Sequence, residues 1–421
     1  MFKDRLSPRK SPVLLVVALL AVLILILILS KRFFFVPKIL IILLVILAVT
    51  ALGKVKIFLR DWFVFIGFIY LFDSFRGSIY IATCRLGLPV HTLYVIRIEQ
   101  FLFGGVPSLM LQDLFLRSHS TSGFGWFEKS ITVAHGSHFV AFLMVGFIIW
   151  LYRPRFFRFF KVSFYLTIFL GLLGYFAVPT VPPWMASTVF GLLPRIIRFN
   201  AIIYNLAIPD ISSGFDTNPV AAMPSLHAAF PFLCALVLWR VYRSKAWPFY
   251  LYAFLMQFAI IYTGDHYVTD VLAGFVLAGF CYWAALVLTR KDAPAESAKP
   301  AEKPEAAVIP KNLVRALVGG LLILLAGIVI GSYNRDQFLH NATAYGLYVP
   351  RYADFFRHEA DYATNFQVQY YLGSHHFLKR GFDRAIPYFE KCLAIARTEE
   401  ERQRAETGIK MSQDWLNKKI P

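Results

Sequence analysis

Long apolar runs separated by short basic interruptions dominate the chain. The runs cover 13–30, 34–53, 62–82, 131–151, 160–178, 221–239, 247–263, 267–288 and 313–332. Each is close to the ~18–20 residues that a helix needs to cross a hydrocarbon core of roughly 30 Å, so the pattern predicts about nine membrane spans. The interruptions at 54–60, 153–161, 240–245 and 290–291 are rich in Lys and Arg, which predicts that they stay cytoplasmic. The segments 83–130, 179–220 and 264–266, and everything after 333, then face the non-cytoplasmic side. Lys31 and Arg32 fall on that side against the rule, which is also compatible with a shallow hairpin made by the first two runs. The run at 13–29 follows Lys3, Arg5, Arg9 and Lys10 as a signal peptide would. No small-residue cleavage motif follows it, which favours a retained anchor. Segment 92–116 is apolar but broken by Arg97, Glu99, Gly104, Gly105 and Pro107. It predicts helices lying at the outer interface, either as a gate for lipid entry or as plain anchors.

Around residue 290 the pattern stops, and 291–312 alternates Ala and Pro with charges, as an extended linker does. The expected division is 1–59 as N-terminal membrane helices, 60–290 as the membrane core, 291–312 as linker, 313–333 as a further span, and 334–421 as a soluble helical tail. In that tail Leu372, Gly373, Ala385 and Phe389 stand at tetratricopeptide-like spacing and predict a helix–turn–helix. A single repeat cannot bury its apolar face alone. It should pack on 334–363, on the membrane domain or on a protein partner.

Composition supports the membrane reading. Apolar residues make up 58% of the chain and charged residues only 16%, a balance that a water-soluble globule does not need. The net charge of +18 sits in the basic interruptions and so indicates anionic lipid rather than nucleic acid. Cys84, Cys234, Cys281 and Cys392 show neither C-x-x-C nor zinc-ligand spacing. No disulfide framework, metal or cofactor is expected.

Two polar segments stand where non-cytoplasmic loops enter apolar runs: AAMPSLHAAF at 221–230 and YTGDHYVTD at 262–270. Pro224 suits the first turn of a helix, which would place Ser225 and His227 near an amino terminus that attracts anions such as phosphate. His266 and Asp270 are four residues apart and share a helical face. A carboxylate so placed can fix the imidazole tautomer while the other ring nitrogen attacks phosphorus. Polar groups at membrane depth are expensive unless used, so His227, His266 and Asp270 are the candidate catalytic residues. Asp73 and Arg76 form either a buried ion pair or part of a substrate site. Arg195 and Arg198, with Arg76, are the candidate phosphate-binding cations, and the two loop arginines are either solvated or lipid-facing or in contact with substrate. His135 and His138 either bind a headgroup or are structural, and Trp184 either shapes the mouth of the site or anchors at the interface.

PSLH (224–227) and HYVTD (266–270) resemble the second and third signature motifs of the type 2 phosphatidic acid phosphatase superfamily. PTVPPW (179–184) resembles a motif of its inositol phosphorylceramide synthase branch, which shares a similar interval between the two histidines. The resemblance covers roughly 60–290. It implies an all-α, polytopic membrane bundle with a six-helix core, in which His266 forms a phosphohistidine, Asp270 orients it, and His227 serves as acid and then base. The substrate-binding candidates are Ser225, Arg76, Asp73, His135, His138 and Trp184. Superfamily phosphatases carry a Ser-Arg pair seven and six residues before the third-motif His, where this chain has Ala259 and Ile260. The synthase branch also lacks the pair, which implies headgroup transfer from a phospholipid donor to a lipid acceptor. A lipid phosphate phosphatase and an inactive scaffold recruiting partners through 334–421 are the alternatives.

Overall fold

The computed structural model describes residues 49–50, 53–116, 124–207, 218–290 and 351–417, with isolated positions at 319, 322–323, 326 and 330. The runs expected to span at 13–30, the bulk of those at 34–53 and 313–332, the linker 291–312 and the segment 331–350 therefore lie outside the described residues. The chain divides into two units. One comprises Met1–Ser74 with Ala298–Ile330, the other Phe75–Ser297 with Gly331–Pro421. In the described part of the first, Trp62 stacks on Phe58 and meets Phe65 edge-on along α1 (Val55–Leu86). From Phe75 onward α1 belongs to the second unit, as does everything below.

The broken segment after α1 forms β1 (Pro89–Val90), α2 (Leu93–Phe103) and α3 (Pro107–Phe115). Gly104, at φ 74°, ends α2; only glycine takes that left-handed conformation without strain. The apolar runs then give α4 (Trp126–Tyr152), α5 (Phe157–Ala177), α8 (Leu226–Tyr242), α9 (Trp247–Tyr262) and α10 (Val268–Leu288). Among the described residues, two short helices lie between α5 and α8: α6 (Pro183–Thr188) and α7 (Phe199–Ala207). α4 bends by 51° between His138 and Val140. A Gly136-Ser137 pair, with Ser137 Oγ donating to Ala134 O at 2.6 Å, accounts for the bend.

Among the described residues two helices are long and apolar enough to cross a membrane, Pro154–Ala177 and Val268–Leu288, or three if the two arms of α4 count as one. This is fewer than the nine expected. Three of the nine lie wholly or mainly in undescribed sequence, and α8 and α9, at 17 and 16 residues, sit at or below the shortest usual span. α8 also starts at Leu226 rather than 221, because Ser225 Oγ caps it by accepting from Ala228 N at 3.2 Å. Pro224 consequently precedes the cap instead of occupying the first turn.

Glycines set how closely the helices approach. A Cβ at Gly174 of α5 would come within 2.4 Å of Pro224 Cδ, and one at Gly274 of α10 within 2.4 Å of the Ser225 carbonyl. The entrance to α8 is thus held between the bare faces of α5 and α10.

The tail forms β2 (Arg351–Tyr352), α11 (Ala353–Arg357), α12 (Phe366–Leu378), α13 (Phe382–Ile395) and α14 (Glu399–Asn417). α12 and α13 make a helix–turn–helix, closed by Phe389 packing against Gly373 and Gly408. The apolar face goes to the membrane core's loops. Tyr352, Phe355, Val368, Tyr371 and Leu372 share one buried cluster with Val90, Val181, Met185, Phe190 and Ile196. β2 pairs in parallel with β1, a departure from the all-α expectation. Strands of two residues show no alternation, and their partners are about 260 positions apart, so no local pattern announces them.

Candidate active site

Four segments converge on one pocket. The ladder His91–Thr180–Ala221 lays 179–184 beside the approach to α8, and Trp184 N donates to Gly264 O at 3.0 Å, tying 183–188 to the loop between α9 and α10. A fourth segment, 194–198, is pinned from two sides. Gln112 donates to Ile197 O (2.9 Å) and Tyr262 O (2.8 Å) and accepts from Ile197 N (2.9 Å). Ser187 Oγ accepts from Ile196 N and donates to Pro194 O. The pocket encloses ≈ 800 Å³ of atom-free space, part of it open to the surroundings, and its lining includes Arg76, His135, Tyr175, Trp184, Arg198, Asn200, Tyr204, Asn218, His227, Asp265 and His266.

At its centre His227 Nδ1 and His266 Nε2 are 3.0 Å apart, hydrogen-bonded to each other through one shared proton. The opposite nitrogen of His266, Nδ1, is 3.6 Å from Asp270 Oδ2 and has no hydrogen-bond partner among the described residues. The carboxylate is buried and fixed: Oδ2 accepts from Tyr267 N at 2.9 Å, while the Asp270 carbonyl accepts from Ser225 N at 3.1 Å. The two motifs are therefore joined through backbone as well as through their histidines.

Beside this pair lies a second polar centre, around Asp265. Its Oδ1 accepts from Arg198 Nε at 2.6 Å, and its Oδ2 accepts from Asn200 Nδ2 at 2.6 Å and Thr263 Oγ1 at 2.9 Å. His135 Nε2 stands 3.2 Å from Oδ2 without hydrogen-bond alignment. Burial pushes the Asp265 carboxyl up, but Arg198 and His135 outweigh it and hold the group well below the usual carboxylate range. The Arg198 guanidinium also lies over the Trp184 ring, 4.7 Å from its centroid. A cation fixed from two sides faces the same space as both histidines.

The expected site residues fall into distinct places in the structure. His227, His266, Arg76, His135 and Trp184 line the pocket. Asp270 is behind His266, and Ser225 is buried with its hydroxyl engaged as a helix cap. His138 is buried against the His227 ring, 4.3 Å between centroids, with Nδ1 bonded to His135 O at 2.6 Å. Asp73 is exposed and belongs to the other unit. Of the two readings of Arg198, the solvated or lipid-facing one does not hold, since its side chain is only 22% exposed and lines the pocket. Asp265, Asn200 and Tyr204 were not anticipated. For Asp265 the available signal was a second carboxylate directly preceding His266.

The region holding the two histidine motifs has a family match. Residues 94–284 match the model of the PAP2 superfamily, and that region of the chain is what the match assigns. Two curated relatives are more particular. Over 156 residues, 34% of this chain and 36% of the relative, the chain is 30% identical to the inositol phosphorylceramide synthase catalytic subunit aur1 of Schizosaccharomyces pombe. Over 138 residues, 30% of this chain and 44% of the relative, it is 31% identical to the phosphoinositol dihydroceramide synthase of Bacteroides thetaiotaomicron. The match thus spans less than half the length of either relative. No solved structure matches the chain.

Proposed function

We propose that this protein is a membrane phosphotransferase that moves a phosphorylated headgroup, phosphoinositol foremost, from a phospholipid to the hydroxyl of a ceramide-like lipid. The observation that carries the reading is the His227–His266 contact of 3.0 Å in a pocket that also holds Arg76 and Arg198. A phosphodiester entering between the rings meets a nucleophile, a proton donor and two cations at once.

In the first step His266 Nε2 attacks phosphorus, the P–O bond to the diacylglycerol breaks, and His227 gives its proton to the departing oxygen. The Nδ1–H of His266 points to Asp270, which stabilises the positive ring as it forms. The 3.6 Å gap must close for that, as catalytic contacts in substrate-free sites commonly do. In the second step His227 takes the proton of the acceptor hydroxyl, the resulting oxygen attacks phosphorus, and the P–N bond breaks. Arg198 and Arg76 compensate the charge on the non-bridging oxygens. The names of the two relatives support phosphoinositol and a ceramide or dihydroceramide as the exchanged partners.

The test uses the purified full chain with headgroup-labelled phosphatidylinositol and ceramide. Label appearing in the ceramide product, and lost in His266→Ala, is the expected result. Label released only as free inositol phosphate would make water the acceptor and overturn the transfer, and phosphate released from a lipid phosphomonoester with no transfer from phosphatidylinositol would replace the reading with a lipid phosphate phosphatase. Cellular function retained in full by His266→Ala would favour a scaffold.

A further inference from the structure

Residues 351–417 lie outside the 94–284 region that matches the superfamily, yet they complete an element within it. α2 begins at Leu93, and the first backbone N–H groups of a helix find no partner in the helix itself. Thr92, at the N-cap, does not cap with its own side chain. Asp354 does so from the tail: its Oδ2 accepts from Thr92 N at 2.8 Å, Leu93 N at 3.0 Å and Thr92 Oγ1 at 3.0 Å. Burial pushes this carboxyl up, but the three donated hydrogen bonds outweigh burial and hold it below its usual range. An anion there also suits the helix dipole. Asp354 is kept in place by the β1–β2 pairing and by Phe190, whose ring packs against Tyr352 and Phe355 at 4.7 and 5.0 Å.

α2 then does for α10 what Asp354 does for α2. Glu99 is fully buried, and its Oε1 accepts from both Thr269 N and Thr269 Oγ1 at 2.8 Å. Thr269 lies in the first turn of the helix that carries Asp270 and directly follows the His266 loop. Among the described residues Glu99 Oε2 has no hydrogen-bond partner, so the hold of this carboxylate on α10 is concentrated in its Oε1, and a displacement of α2 shifts the acceptor on which the Thr269 N–H and hydroxyl depend.

We propose that the C-terminal helical segment braces the catalytic loop, with Asp354 a positioning residue whose hold on α2 is passed through Glu99 to the amino-terminal turn of α10. The functional half of this inference rests on His266 and Asp270 being catalytic, so its test includes a readout that needs no turnover. Amide hydrogen exchange and steady-state kinetics are measured on the full chain for wild type, Asp354→Ala, Asp354→Asn and Glu99→Ala. Lys391→Ala, which breaks an exposed tail ion pair with Glu359, is the control. Losing a cap in Asp354→Ala should speed exchange about tenfold at residues 92–93 and also at 267–270. The same variant should lower kcat about tenfold with less than about a twofold change in donor KM, a split expected of misplaced catalytic groups. Asp354→Asn, which keeps an acceptor oxygen, should recover part of both effects. Glu99→Ala should reproduce the change at 267–270 without the change at 92–93, and Lys391→Ala should match wild type. Faster exchange confined to 92–93, with kcat unchanged, would overturn the brace. If Asp354→Ala does not fold, Thr92→Val removes one of the three hydrogen bonds; no effect of Thr92→Val at 267–270 would overturn it equally. An inactive wild type would refute the catalytic reading alone and leave the exchange result to decide the brace.

Discussion

Replacing Asp265 with Asn preserves the shape of the side chain while removing the charge that holds Arg198. The amide nitrogen must face a donor on either side, Arg198 Nε from one oxygen position or Asn200 and Thr263 from the other. A hydrogen bond to a charged group is worth about 1.5–3 kcal/mol, and stripping the partner from a buried charge costs about 3–5 kcal/mol. Arg198 is 22% exposed and keeps its stacking on Trp184, so water recovers part of that loss and a total of about 2–4 kcal/mol is expected. Arg198 meets substrate phosphate in the proposed reaction, so much of this should appear as a fall of about 30- to 1,000-fold in kcat/KM. The assay is headgroup transfer at varied donor concentration, paired with thermal unfolding and a cycle with Arg198→Ala. Coupling of about 2 kcal/mol is expected between the two positions. Strict additivity, or a kcat/KM within about threefold of wild type, would refute the assignment of Asp265 as the anchor of the cation. The pH dependence has a definite sign. Because the folded carboxyl titrates well below the ordinary aspartate value of 3.8, its stabilising contribution is complete above that value and is lost only as pH falls through the depressed folded value. Asp265 should thus contribute no slope between pH 5 and 8.

His227→Ala should lower kcat by about a hundred- to ten-thousandfold, the range for a positioned proton-transfer group, read by the same transfer assay. In a two-step label-trapping experiment, His266→Ala should leave no acid-labile phosphorylated protein. Gly274→Ala places a Cβ 2.4 Å from the Ser225 carbonyl, a backbone atom that cannot rotate away, and should destabilise by about 1–3 kcal/mol, seen as a lower unfolding temperature. His375 is pushed down to about 4 by burial and, secondarily, by Lys379. Its depressed value means that the stability it contributes is complete above 6.5 and declines as pH falls from there toward about 4. Protection factors across α12, corrected for the intrinsic pH dependence of amide exchange, should therefore fall over that interval, and His375→Gln should remove the dependence.

How legible these features were in the sequence follows from their range. α9 and α10 lie within a residue of the apolar runs at 247–263 and 267–288, because a long apolar stretch whose one proline, Pro248, sits in the first turn has one way to satisfy its backbone. The helix–turn–helix of the tail was visible in Leu372, Gly373, Ala385 and Phe389, since contacts close in sequence leave periodic marks. The Asp265 centre was not visible. Its partners Arg198, Asn200 and His135 come from elements far apart in sequence, and an arginine in a loop looks solvated until an acid is known to face it. The same holds for Asp354, which reads as an ordinary tail carboxylate until β2 pairs with β1 and delivers it to Thr92.

The Asp265 centre also bears on the missing Ser-Arg pair. Positions 259 and 260, where superfamily phosphatases carry it, are Ala and Ile here. Both are fully buried, packed against Tyr262 in one case and Met256 in the other. A guanidinium at 260 would enter that apolar packing and need a partner there. This chain instead brings its cation from the segment that Gln112 and Ser187 pin, and balances it with an acid one position before His266. In the proposed reaction the phosphate clamp is thus borne on the loop beside the nucleophile. The predicted coupling between Asp265 and Arg198 follows from that placement, because the guanidinium is held by its counter-ion at 2.6 Å.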